Sequence, residues 1–120
     1  MVIKTKHSEV IFGASCWEAL NRCVHANSYS TVFILTDTNT GLHCLPHANA
    51  KIEFDYQTLD MQAGEENKHI QSCISLWDSL SEMGADRRSL LINIGGGVVT
   101  DLGGFVACTF KRGIDFINIP

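Results

Sequence analysis

The stretch that most constrains this chain is residues 89–107. Ser89-Leu90-Leu91-Ile92-Asn93-Ile94 runs straight into Gly95-Gly96-Gly97, and Val98-Val99-Thr100-Asp101 leads on to Leu102, Phe105, Val106 and Ala107 with small residues between them. The first six residues form an apolar run of strand length, and the last stretch suits a helix. The glycines between them have a physical use. Without Cβ atoms the backbone turns sharply and lets a ligand approach closely. The helix start then presents unpaired N–H groups and a partial positive charge to an anion. Two readings stand side by side: a phosphate or pyrophosphate cradle, and a strand-to-helix turn that needs glycine for geometry alone. The pattern is neither G-x-G-x-x-G nor a P-loop, which requires G-K-S/T.

The rest of the chain supplies partners for such a unit. Residues 2–12 alternate loosely and read as one or two short strands, forming a hairpin. Ser15, with Glu18 three residues on, forms a capping-box pattern ahead of a helix that carries Trp17, Leu20, Cys23 and Val24 to about Ala26. Residues 31–36 contain Val32-Phe33-Ile34-Leu35, a run suited to a strand buried on both faces. A short helix over residues 42–48, interrupted at Pro46, and a strand over residues 51–56 follow, then a polar loop over residues 60–65. Residues 67–83 are amphipathic, with Ile70, Cys73, Ile74, Trp77, Leu80 and Met83 at spacings of three and four and Gly84 as the stop. A strand over residues 87–94, a helix over 102–110 and a strand over 114–119 complete the order. This alternation predicts an α/β fold, a mostly parallel sheet with helices on both faces. A final strand ending at Pro120 suggests a piece of a longer protein.

Composition excludes several functions. Of the 120 residues, 45% are hydrophobic and 18% charged, the balance of a globular chain. A net charge of −4 argues against broad nucleic-acid or anionic-membrane binding. No apolar run reaches membrane-spanning length. The five cysteines, Cys16, Cys23, Cys44, Cys73 and Cys108, are odd in number and none form C-x-x-C. They point to reduced thiols, and with no leader pattern at Met1 the expected location is cytoplasmic. His43 and His47 stand four apart, a metal-ligand spacing on a helix, but Pro46 lies between them and no third ligand is evident.

In a parallel sheet ligands sit beyond the carboxyl ends of the strands, and three polar clusters fall there. Asp37 and Asn39 follow the second buried strand. They suit hydrogen bonds with ribose hydroxyls and an adenine edge, or an Asx turn that caps the next helix. Glu65 and Lys68 read as the opening of the long helix, as a helix-end acid with its ion-pair partner or as phosphate contacts. Thr100 and Asp101 fall in the first turn of the glycine-led helix, which they would cap. Beyond that helix, Lys111-Arg112-Gly113 reads as favourable C-terminal charge or as a fork for a carboxylate or phosphate.

Together these motifs resemble the 3-dehydroquinate synthase family. Residues 95–105, Gly-Gly-Gly-Val-Val-Thr-Asp-Leu-Gly-Gly-Phe, followed by Thr109-Phe110-Lys111-Arg112-Gly113-Ile114 and Ile117-Asn118-Ile119-Pro120, are similar to its signature. Thr36-Asp37-Thr38-Asn39 resembles its adenosine-side motif, and Gly64-Glu65-Glu66-Asn67-Lys68 its G-E-x-x-K motif. The resemblance implies a Rossmann-like, dehydroquinate synthase-like N-terminal domain over residues 1–120 that binds NAD. It implies cofactor contacts from Asp37, Asn39, Gly64, Glu65, Lys68, Gly96, Gly97, Val98 and Asp101. Arg112 would bind the sugar-phosphate substrate, in a neighbouring subunit's site within a homodimer. It further implies a phosphate-eliminating lyase of the shikimate pathway that converts 3-deoxy-D-arabino-heptulosonate 7-phosphate to 3-dehydroquinate. A divalent metal, zinc or cobalt, would sit in a C-terminal helical domain absent from this chain, and no metal ligand is expected here. Thr100 departs from the family's usual glycine, and Met61-Gln62-Ala63 from a lead-in that contains proline. The alternatives are another sugar-phosphate cyclase, a related metal-dependent alcohol dehydrogenase, or a nucleotide-binding module without chemistry.

Overall fold

The computed structural model describes every residue from Met1 to Pro120. Four parallel strands form its centre: β3 (Val32–Asp37), β4 (Gln57–Met61), β5 (Leu90–Ile94) and β6 (Asp115–Ile119). They lie in the order β4-β3-β5-β6. The two central strands are the ones with continuous apolar runs, as burial on both faces requires. Phe33, Ile34 and Leu35 of β3 and Leu90, Leu91 and Ile92 of β5 are wholly buried. Val2–Lys4 (β1) and Glu9–Ile11 (β2) pair with each other in an antiparallel hairpin outside this sheet.

Alternate side chains of the strands feed two separate cores. On one face Phe33, Leu35, Leu59 and Leu91 pack with Leu76 and Leu80 of helix α4 (Ile70–Glu82) and with Val99, Leu102 and Val106 of helix α5 (Gly97–Thr109). On the other face Ile34, Leu90 and Ile92 meet Leu20 and Val24 of helix α1 (Cys16–Asn27) and Ala48 of helix α3 (Leu45–Asn49). Helix α2 (Thr38–His43) caps the carboxyl end of β3. The α/β class, with a parallel sheet covered on both faces, therefore holds.

Several elements differ from the sequence reading. The strand expected over residues 51–56 is β4, one element further on. The backbone of residues 51–53 instead bonds to helix α1. Asn21 Nδ2 donates to Lys51 O at 3.0 Å, Glu53 N donates to Asn21 Oδ1 at 2.9 Å, and the His25 ring lies 3.0 Å from Glu53 O. The alternating Ile52, Phe54 and Tyr56 pack half-buried against the second core, without a ladder. Pro46 opens α3 rather than interrupting a helix, since its missing N–H costs nothing in a first turn. Ser15 forms no capping box. It has helical dihedrals, whereas a hydroxyl cap needs extended ones, and the entry turn is made by Gly13, whose O accepts from Cys16 N. Helix α4 starts at Ile70 and is capped by His69, whose Nδ1 accepts from Ser72 N. Gly84 stops it in a left-handed conformation at φ +79°. Helix α5 begins at Gly97, five residues before the expected start at Leu102, and its first turn already contributes Val99 to the core.

Candidate functional site

The order β4-β3-β5-β6 contains one reversal. From β3 the chain crosses to β4 on one side, and from β5 to β6 on the other, so the switch point lies between β3 and β5. In open α/β sheets this is where a crevice forms, beyond the carboxyl ends of the strands. The segments after β3, β4 and β5 are the three polar clusters of the sequence, and the parallel register brings them to one edge.

The turn after β5 forms the wall of this crevice. Gly95 has φ +155°, and a Cβ there would meet the Val99 side chain at 2.7 Å, so only glycine fits. Gly96 is the N-cap of α5 and has no capping side chain. Around Gly96 and Gly97 there is nothing within 4 Å of where a Cβ would sit. The first N–H groups of α5 have no capping side chain, and the turn beside them is open at Gly96 and Gly97, an arrangement that suits an anion cradle. Thr100 and Asp101 do not cap this turn. Thr100 Oγ1 donates back to Gly96 O and Gly97 O at 3.2 and 3.3 Å, against its own helix, which leaves the cradle clear. Asp101, the fifth residue of a helix that starts at Gly97, lies in the second turn.

Asp37 caps α2. Its Oδ1 accepts from Asn39 N at 2.9 Å and Thr40 N at 2.8 Å, while Asp37 N donates to Thr40 Oγ1 in a reciprocal capping box. Its Oδ2 takes no hydrogen bond within the chain. Two threonines to which the sequence reading gave no role complete this corner. Thr38 Oγ1 accepts from Ala63 N at 3.0 Å, which ties α2 to the loop after β4, and the Thr40 methyl group borders Gly95. The signal for them was the alternation Thr36-Asp37-Thr38-Asn39-Thr40.

Glu65 and Lys68 precede α4 instead of opening it: Glu65–Asn67 is a 3-10 turn and Lys68 the residue that follows it. Gly64 starts this turn at φ +114°, where a Cβ would overlap the Glu66 carboxylate. Lys68 Nζ reaches Asp101 Oδ2 at 2.7 Å and Glu65 Oε1 at 3.5 Å. The hydrogen bond and charge of Asp101, and then the charge of Glu65, raise the Lys68 pKa above its ordinary value, so the ammonium is secured. The pair links the loop after β4 to α5 across the crevice. It is solvent-exposed, a geometry that contributes little to stability and leaves both groups accessible.

Arg112 is not brought to this crevice. It follows α5 at the amino end of β6, and α5's 13 residues put it about 20 Å from the glycine turn. Lys111 and Arg112 are both left-handed, at φ +46° and +67°, a conformation that costs non-glycine residues about 1 kcal/mol or more each. His43 and His47 line a cleft of 380 Å³ with Trp17, Thr40, Gly95 and Gly96. No group of three or more His, Cys, Asp and Glu side chains stands where it could hold a metal ion. No helix is long and apolar enough to cross a membrane. Asn93, another residue the sequence reading did not single out, is fully buried beneath α5.

The fold and crevice define a class: Rossmann-like α/β domains built to hold a ligand at the switch point of a parallel sheet. Comparison with known proteins narrows it. The family model described as 3-dehydroquinate synthase N-terminal matches residues 58–120. A 3-dehydroquinate synthase of Parabacteroides distasonis is 50% identical over 93 residues, 77% of this chain and 26% of that protein. One of Endomicrobium trichonymphae is 33% identical over 121 residues, covering 98% of this chain and 34% of that protein. A 2-deoxy-scyllo-inosose synthase solved with carbaglucose-6-phosphate, NAD+ and Co2+ matches 93% of this chain and 31% of its own, with a TM-score of 0.78 and 23% identity, a likeness of fold. The chain belongs to the 3-dehydroquinate synthase family. It spans about a quarter to a third of the length of the curated relatives it matches.

Proposed function

We propose that these 120 residues are the NAD-binding part of a 3-dehydroquinate synthase. One observation supports the reading: Asp37, the Gly64–Lys68 loop and the uncapped Gly95–Gly97 turn follow three neighbouring parallel strands at the same end of the sheet, and contacts link them, Lys68 to Asp101, Ala63 N to Thr38 Oγ1 and the Thr40 methyl to Gly95. The residues present fit the dinucleotide. The free N–H groups at Gly97 and Val98 suit its pyrophosphate, and Asp37 Oδ2 and Glu65 suit ribose hydroxyls as acceptors. Asn39 takes the adenine edge or ribose. Lys68 and Asp101, already paired, present an ammonium and a carboxylate side by side to a ligand hydroxyl. NAD, when bound, supplies a reversible hydride exchange with a carbinol carbon. The chain's own contribution is to orient the cofactor and fix its charge.

The residues present do not fit a divalent metal, since no three His, Cys, Asp or Glu side chains come together. In this proposal the zinc or cobalt site, most of the pocket for 3-deoxy-D-arabino-heptulosonate 7-phosphate and the phosphate elimination lie outside these 120 residues. Arg112, remote from its own crevice and held in a strained turn, serves the substrate site of a second subunit. The polar groups at the strand ends support the dinucleotide, and the likeness to 3-dehydroquinate synthases supports the substrate.

Calorimetric titration with NAD tests the reading. The unmodified chain should bind, and Gly97→Leu, which fills the open space of the cradle, should weaken binding at least tenfold, about 1.4 kcal/mol. Equal affinity of the two proteins would remove the crevice from the account.

A further inference from the structure

Beneath the cradle lies a buried polar arrangement that cofactor contact does not explain. Asn93 is the fourth of the five residues of β5 and is fully buried. Its Nδ2 donates to Asn118 Oδ1 at 3.0 Å, across the β5–β6 register that places the two residues opposite each other. Its Oδ1 has no hydrogen-bond partner. A buried unpaired amide oxygen is costly, so a sheet gains nothing from it without a second role. What occupies the space above it is helix α5. A Cβ on Gly103 would overlap the Asn93 amide, with the carboxamide oxygen, carbon and nitrogen as its three nearest atoms. The amide therefore fills the volume that a side chain at position 103 would take. The Gly103 Cα hydrogens are left facing its oxygen, a weak contact of the Cα–H···O kind.

We infer that Asn93 and Gly103 form a spacer that sets the height of α5 above the sheet, and with it the position of the anion cradle. Both ends of the spacer connect to the cradle. Gly103 lies in the same rigid helix as Gly97 and Val98, two turns along. Asn118 lies in β6, whose last residue holds the turn directly, since Gly95 N donates to Ile119 O at 3.1 Å. A helix lifted at Gly103 would tilt its N-terminal N–H groups away from the strand ends. In dinucleotide folds of the G-x-G-x-x-G type one glycine serves close helix–strand packing, and here that service falls to a residue outside the glycine triplet, matched to an amide in the strand below. Asn93 and Gly103 are positioning residues, neither of which reaches the crevice.

The inference rests on reading the turn as the pyrophosphate site, and the test separates the two. NAD titration and backbone amide chemical shifts are measured for the unmodified chain, Gly103→Ala, and the double variant Asn93→Ala with Gly103→Ala. The single variant should move the amide signals of Gly96, Gly97 and Val98 and weaken NAD binding at least tenfold. The double variant, which removes the overlap, should return those signals and bring affinity back to within about threefold of the parent. If Gly103→Ala does not fold, recovery of folding, signals and affinity in the double variant carries the same weight. A folded Gly103→Ala with unmoved cradle signals, or a double variant no better than the single, overturns the spacer. If the amide signals revert but the unmodified chain binds no NAD, the spacer stands and the dinucleotide assignment falls.

Discussion

Asp37 uses one carboxylate oxygen to start α2 and leaves the other free toward the crevice. Two substitutions separate these roles. Asp37→Ala removes the cap and should cost about 0.5–2 kcal/mol in chemical denaturation. Asp37→Asn keeps a good cap and should leave stability nearly unchanged while weakening NAD binding, because the negative acceptor for ribose hydroxyls is gone. Should Asp37→Asn bind NAD as well as the parent, Asp37 is a capping residue and nothing more. From sequence alone both uses were legible and could not be ranked, since an Asx turn and a ribose contact ask for the same residue in the same place. Asn93 was not legible as a site residue. An asparagine in an apolar run reads as a flaw in a strand until Ile92-Asn93-Ile94 is paired in register with Ile117-Asn118-Ile119.

At the scale of elements, periodicity found the central strands and the long helices and missed what depends on partners. The pattern of Ile52, Phe54 and Tyr56 is a strand's pattern, but Asn21 and His25 bind the backbone that a ladder would need. Residues 57–61 look too polar for a strand because β4 is an edge, with only Leu59 and Met61 buried. Side chains from distant elements also pin the amino ends of the strands. Tyr29, just before β3, donates to Asp115 Oδ2 at 2.7 Å at the start of β6. Burial first, and then this hydrogen bond and the Asp115 charge, hold the phenol well above its ordinary value of 10.0. A raised pKa means the folded state favours the protonated form. That contribution is complete below pH 10.0 and is lost as pH rises through the folded-state value. Tyr29→Phe should therefore reduce the loss of stability in denaturation midpoints compared above pH 10.0. An unchanged alkaline slope would show that the phenol contributes nothing there.

For the whole molecule, the order of elements did most to locate the site. Asp37, Lys68 and Gly97 are far apart in sequence, and a parallel sheet with one reversal is sufficient to bring their segments together. The detail that order did not supply is the Lys68–Asp101 pair, which depends on α5 starting at Gly97 so that its second turn faces the loop after β4. Order also did not place Arg112, which the length of α5 carries to the opposite end of the sheet. The central claim is that one crevice on this chain takes the dinucleotide. Amide chemical-shift mapping during NAD titration tests it most directly. The account predicts saturable shifts at Asn39, Lys68, Gly96, Gly97, Val98 and Asp101, with Arg112 unmoved. Shifts confined to other surfaces, or none at the Gly96–Val98 amides while NAD binds, would contradict it.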